Sequence, residues 1–198
     1  MRIKFLLALI VVSFASGCAF TVHDLPVNYQ YSGQPLVVEG DKFPSVEINE
    51  IKDVRNVANP RMIMNQKNGY GQTTTGGWQA EKAISEIVKD ALVQGVDKAG
   101  LSEVKAKRVK INGELVDVSS SVVSGWVSGT INMKVTVKLS AFDELTNKIL
   151  WKDTVFGDGT SGKQTSSKPA ILKAFKSALD DMVNKMLEDE YFKQQLAQ

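Results

Sequence analysis

Apolar positions along this chain change period several times, and each change marks an element. Residues 84–99 carry Ile84, Ile87, Val88, Ala91, Leu92, Gly95, Val96 and Ala99 at the i, i+3, i+4, i+7 spacing of a helix with one dry face. Lys82, Glu86, Lys89, Asp90, Gln94, Asp97 and Lys98 fill the other face, and Gly100 provides the stop. A second helix begins near Ser167 with Pro169 in its first turn, where a missing N–H costs nothing. Its inner stripe runs Ile171, Ala174, Phe175, Ala178, Leu179, Met182, Val183 and Met186, and "DEYFKQQL" adds one or two further helical turns. Strict alternation appears from Val127 to Ala141: Ile131, Met133, Val135, Val137 and Leu139 on one side, Asn132, Lys134, Thr136, Lys138 and Ser140 on the other. That is an antiparallel strand with one buried face. "DELTNK" turns the chain into a returning strand at 149–156.

Two strands break their own alternation. Val46 and Ile48 share a parity that Ile51 leaves, so a bulge is expected near Glu50. In the strand at 106–123, Val109, Ile111 and Leu115 give way to Val116, Val118 and Val122, which predicts another bulge. Residues 56–77, with Pro60, four glycines and "QTTT", read as a loop of unusual length, either mobile or ordered by a partner. The order β-α-β-β-β-α predicts an α+β fold in two layers. A mostly antiparallel four-stranded sheet carries two helices on one face.

The front end differs. Arg2 and Lys4 precede an uncharged apolar run at 5–15, then Ala15, Ser16, Gly17 and Cys18. The three-part arrangement is that of a secretory signal, and its apolar run of about eleven residues is too short to span a bilayer. "ASGC" resembles the lipobox of bacterial lipoproteins, with Ala15 where that pattern usually has Leu. The resemblance implies cleavage before Cys18, a diacylglycerol on its sulfur and acylation of the new amine. An ordinary signal peptide with an incidental cysteine is the alternative. A lone thiol in an oxidising envelope has no partner for a disulfide, which favours lipid attachment. Ala19, where Asp would imply retention in the inner membrane, implies outer-membrane sorting with the body facing the periplasm. Residues 1–17 are then the signal peptide, 18–43 the lipidated N-terminus and a proline-punctuated tether, and 44–198 a single periplasmic domain. Tyr29, Tyr31 and "LVV" at 36–38 suggest that part of the tether packs down.

Charge narrows the function. The chain has 24 basic and 22 acidic residues, and loss of Arg2 and Lys4 leaves 22 of each. A neutral body without a polybasic run gives nucleic-acid binding no electrostatic support.

Catalytic patterns are sparse. "GDGTSGKQ" at 157–164 matches Gly-x-Gly-x-x-Gly and nearly matches a phosphate-binding loop, but Gln164 stands where a hydroxyl should bind magnesium. The next helix also starts too late to point at a phosphate, so the stretch reads as a flexible strand-to-helix connection. His23 is the only histidine and lies five residues from Cys18, which disfavours a catalytic triad or zinc site. Acid pairs 180–181 and 188–190 read as solvated helix surface. No cofactor, metal site or enzymatic activity is expected. Aromatic residues near loops remain: Tyr70 and Trp78 as candidate partner contacts, with Trp126 opening a strand and Tyr191 and Phe192 near the C-terminus, each of which could instead cover the edge of the core.

These features are similar in order and spacing to the YajG family of envelope lipoproteins. The likeness is carried by Cys18, "DVR" at 53–55, "EIVKDALVQGVDKAGL", "VDVSSS", "INMKVTVKLSAFD" and "WKDTVFGDG". It implies an outer-membrane-anchored domain without known catalytic residues. The function expected of it is that of a non-enzymatic domain that binds or scaffolds envelope components, through a protein partner or self-association. An accessory lipoprotein of a lipid or ABC transport system is the alternative, requiring an apolar groove between sheet and helices. A ring-forming export lipoprotein would require a self-complementary or head-to-tail surface. An enzyme would require a cleft with convergent polar groups.

Overall fold

A computed structural model of the chain describes residues 21–33, 43–67, 70–124, 129–162 and 167–197. In chain order the elements are β1 (Val22–Leu25), β2 (Ser45–Asp53), β3 (Met62–Lys67), β4 (Thr73–Ala80), α1 (Ile84–Lys98), β5 (Arg108–Ser124), β6 (Gly129–Asp143), β7 (Ile149–Thr160), α2 (Lys168–Glu188) and α3 (Glu190–Leu196).

The alternation of β6 places Ile131, Met133, Val135, Val137, Leu139 and Ala141 against the helices and turns Asn132, Lys134 and Lys138 to solvent. Around it forms a four-stranded sheet in the order β2-β5-β6-β7. Strands β5, β6 and β7 are antiparallel, and β2 joins β5 in parallel across the connection that contains α1. Both expected bulges are present, between Ile48 and Glu50 and between Leu115 and Asp117. Each lets a strand shift parity, so that Ile51 and Val118 pack with the core, while Val122 and Val123 farther along β5 stay exposed. Helix α1 covers β2, and α2 covers β6 and β7.

The single four-stranded sheet of the sequence reading is corrected here. A second sheet exists, ordered β1-β4-β3, with β1 parallel and β3 antiparallel to β4. Its strands come from the segment read as a tether and from the 56–77 stretch read as a loop. Pairing between backbones, rather than an apolar alternation, orders that stretch: β4 spends two positions on glycine and three on threonine. The C-terminal coda is a separate helix, α3, started by the Asp189 carboxylate accepting from the Phe192 N–H. Phe192 is buried edge-on against Trp151, with ring centroids 4.9 Å apart.

Two of the three glycines of "GDGTSGKQ" serve packing, and Gly162 lies in a left-handed conformation with open space around it. Gly157 and Gly159 lie within β7, not in a loop, and face α2. A Cβ on Gly157 would sit 1.9 Å from the Ala178 carbonyl oxygen, and one on Gly159 would sit 2.0 Å from that of Ala174. The helix therefore lies backbone to backbone on the strand. Gly95 similarly lets α1 meet Val183 of α2, where a Cβ would come within 2.2 Å of a valine methyl.

Tyr29 and Tyr31 do pack. After β1, residues 27–33 form a strap across the outer side of the two helices. The Val27 N–H donates to the Glu81 carboxylate (2.8 Å) and the Tyr31 N–H to the Gln94 side-chain oxygen (2.9 Å). The Tyr29 hydroxyl donates to Asp180 (2.6 Å), which also accepts from the Ser32 N–H and hydroxyl. The Tyr31 hydroxyl pairs with Asn184, and Lys98 and Lys176 donate to the Gly33 and Asn28 carbonyls. Burial, then the bond to the Asp180 carboxylate, pushes the Tyr29 phenol well above its ordinary value.

A raised phenol stabilises the fold below its free value of 10.0 and loses that contribution as pH climbs past it. Asp180→Ala should therefore cost about 1–2 kcal/mol at neutral pH, near the worth of hydrogen bonds to a charged group. Hydrogen exchange should locate the loosening at residues 28–32. Tyr29→Phe should flatten the loss of stability above about pH 10, measured by urea unfolding.

Candidate functional site

The small sheet is held on the main one by a short sequence device. Asp53 ends β2 and Arg55 follows two residues later on the same side. The guanidinium grips the carboxylate with both arms, Nε to Oδ1 at 2.8 Å and Nη2 to Oδ2 at 2.6 Å. Its remaining donors reach the Pro60 carbonyl (2.9 Å) and the Met62 carbonyl (3.4 Å), where the chain enters β3. The side chains are 5% and 16% exposed for Arg55 and Asp53. Burial works to raise the Asp53 carboxyl, but the hydrogen bonds and charge of Arg55 outweigh it and hold it below the ordinary range.

A second polar chain ties β1 to β4. The Asn59 amide donates to Gln79 (2.8 Å), the Gln79 amide donates to Asp24 (2.8 Å), and Arg61 pairs with Asp24 at 3.2 Å. His23 lies against Trp78, with ring centroids 4.7 Å apart, and the Lys168 amine sits 5.9 Å from the same indole. Trp78 is thus half-buried near the base of the β3–β4 hairpin and packs on the core. Tyr70 stands at the hairpin's far end and is 93% exposed. The structure does not bring these two candidate contact residues together. Cys18 and Trp126 fall outside the described residues. Tyr191 is exposed on α3, whereas Phe192 is core.

Several depressions mark the surface of the described residues. One of about 350 Å³ lies on the small sheet among Val22, Val57, Met62, Asn65 and Thr74. Another, about 300 Å³, lies on the open face of the main sheet among Glu50, Lys52, Glu114, Lys138 and Lys152. Opposite charges alternate there without converging on one point. A third, about 330 Å³, lies where α1 overhangs β2 and is lined by Val46, Ile48, Val93, Val96 and Val104 together with Ser45, Glu47, Ser102 and Arg108. Among the described residues no three His, Cys, Asp or Glu side chains gather as a metal site, and no helix is long and apolar enough to cross a membrane.

Both edges of the main sheet are occupied. The Asp158 N–H of β7 donates to Asp181 of α2 (2.8 Å). On β2 the Val46 N–H donates to the Leu101 carbonyl (2.7 Å), and the Asn49 carbonyl accepts from Lys89 (2.6 Å). These contacts block added strands at those points.

No protein-family model and no curated protein matches this sequence. Among solved structures, a Xanthomonas campestris protein of the DUF330 family superposes with a TM-score of 0.57 at 14% identity, over 84% of this chain and 92% of that one. The two share a fold. A candidate lipoprotein of Caulobacter crescentus matches at TM-score 0.39 and 9% identity, over 56% of this chain and 82% of its own. A candidate neuraminyllactose-binding hemagglutinin homologue of Helicobacter pylori matches at TM-score 0.36 and 13% identity, over 86% of this chain and 98% of its own.

The Asp53–Arg55 staple was visible as "DVR", but its role was not, because only the fold shows what the guanidinium's spare donors reach. The two glycines had a readable counterpart in Ala170, Ala174 and Ala178, a small-residue stripe at helical spacing.

Proposed function

We propose that this chain is an outer-membrane lipoprotein, acylated at Cys18, whose body faces the periplasm and binds or scaffolds envelope components without catalysing a reaction. The observation that carries the reading is the "ASGC" sequence after an apolar run, followed four residues later by the first strand of a folded body. The order of elements, resembling YajG, supports the same placement. Within the body, the ionisable groups of the main-sheet depression are spread over an open face, an arrangement suited to adhesion rather than to proton transfer at one atom. Tyr70 is the exposed aromatic offered to a partner, while Trp78 supports the hairpin from its base.

A second reading has one observation in its favour. The valine-lined depression between α1 and β2 is the place where an accessory lipoprotein of a transport system would receive an apolar group.

Palmitate labelling and intact mass test the anchor. Wild type should carry acyl chains and sediment with outer membranes, whereas Cys18→Ser should carry none and leave the membrane fraction. Ala19→Asp should move the acylated protein to the inner membrane. An unmodified thiol on wild-type protein ends the proposal. Crosslinking in cells from position 70, with a transporter as the main capture, would favour the second reading.

A further inference from the structure

The first strand limits how far an anchor at Cys18 can lie from the small sheet. Only four residue steps separate Cys18 from Val22, so the sulfur-bearing residue lies within about 14 Å of the start of β1. The direction is set as well. β1 runs parallel to β4, with Val22 opposite Gly77, and the Gly77 N–H donates to the Thr21 carbonyl (3.0 Å). The N-terminal end of β1 therefore lies on the side where β4 begins. From Gly77 back to Thr73 is four strand residues, about 13 Å, and Tyr70 lies beyond Thr73. The Tyr70 end of the hairpin thus lies on the side of the small sheet where β1 starts, at a distance comparable to the reach of the four residue steps back to Cys18.

Its chemistry suits that position. No acidic residue occurs between Asp53 and Glu81, although the mature body would hold 22 acids. The bases in this interval are Arg55, Arg61 and Lys67. Arg55 is committed to Asp53 and Arg61 pairs with Asp24, while Lys67 is exposed opposite Thr73 at the hairpin's outer end. Val22 (37% exposed) and Val57 (43% exposed) flank the hairpin. Tyrosine carries an apolar ring and a polar tip, the combination enriched at membrane interfaces, and lysine suits phosphate headgroups.

We infer that the Tyr70 end of the β3–β4 hairpin, with Lys67 beside it, rests in the lipid headgroup layer of the leaflet that takes the acyl chains. The inference rests on acylation at Cys18 and makes the small sheet the membrane-facing end of the domain. The open face and valine-lined depression of the main sheet are left for other partners.

The test uses the full acylated protein, in which Cys18 is blocked and an introduced thiol is the only one free. Tyr70→Cys and Leu145→Cys, the latter 85% exposed in the β6–β7 turn, are each labelled with a nitrobenzoxadiazole dye. They are then reconstituted into vesicles of phosphatidylethanolamine and phosphatidylglycerol. At position 70 the emission should shift to the blue, iodide quenching should be lost, and nitroxide-headgroup lipid should quench. At position 145 iodide should quench fully and the lipid quencher should not. Equal iodide quenching at both sites, on protein of confirmed acylated mass, overturns the inference while leaving the anchor intact. Protection at position 70 without lipid quenching, dependent on protein density, assigns the surface to a second copy and also overturns it. A mass without acyl chains removes the anchor and this inference together.

Discussion

Gly157→Ala should lower the stability of the fold by about 3 kcal/mol or more, at or above the upper end of the usual cost of overpacking a core. The added methyl carbon would stand 1.9 Å from the Ala178 carbonyl oxygen and 2.5 Å from the Met182 nitrogen. Both neighbours are helix backbone, so no rotamer change relieves the clash. Helix α2 would have to lift from β7, and the packing of Phe175, Ala178, Leu179 and Met182 would loosen with it. In an ordinary strand the same exchange would help, because alanine loses less conformational freedom than glycine on folding. Urea midpoints for Gly157→Ala and for Thr154→Ala, on the solvent side of the same strand, separate the two effects. A Gly157→Ala midpoint within error of wild type would show that the strand and helix do not meet in this way.

Arg55→Leu should cost about 1.5–3 kcal/mol, the usual worth of hydrogen bonds to a charged group, because the pair is only partly buried. The Asp53 carboxylate would remain half-enclosed without its two hydrogen bonds, and the Pro60 carbonyl would lose its charged donor. Arg55→Lys should recover little, since an ammonium cannot grip both carboxylate oxygens and reach Pro60 together. The Asp53 carboxyl is lowered in the folded state, so its contribution is complete above the ordinary value of 3.8 and disappears as pH falls through the lowered one. Asp53→Asn should therefore weaken the protein at pH 7 and flatten its acid-unfolding slope below pH 4. Denaturant titrations at several pH values measure both. An unchanged acid slope would mean that the pair does not form.

What could be read beforehand divides along a physical line. Elements held by burial announced themselves: β6 by alternation, α1 and α2 by their stripes, and both bulges by broken parity at Ile51 and Val116. Elements held by backbone pairing did not. β1 has four residues and β4 has two adjacent glycines, so neither offers enough apolar side chains for a period to show. Without those strands, residues 56–77 could only be a loop. The glycine pair at 157 and 159 misled differently. A phosphate loop and a close strand–helix contact both need absent side chains, and only position within β7 distinguishes them. Tyr70, between two glycines, could equally have covered the edge of the core, and only the structure shows it exposed. Its distance from Trp78 was not legible either, since that depends on the hairpin.

Tension entering through the N-terminus meets a particular geometry. A pull on residue 21 runs along β1, whose bonds to β4 lie across the strand, so they resist in shear and share the load. Behind them the strap's bonds to Gln94 and Asp180 are next in line. A domain anchored through Cys18 would thus be held at a point where force must rupture several bonds together rather than peel them one at a time.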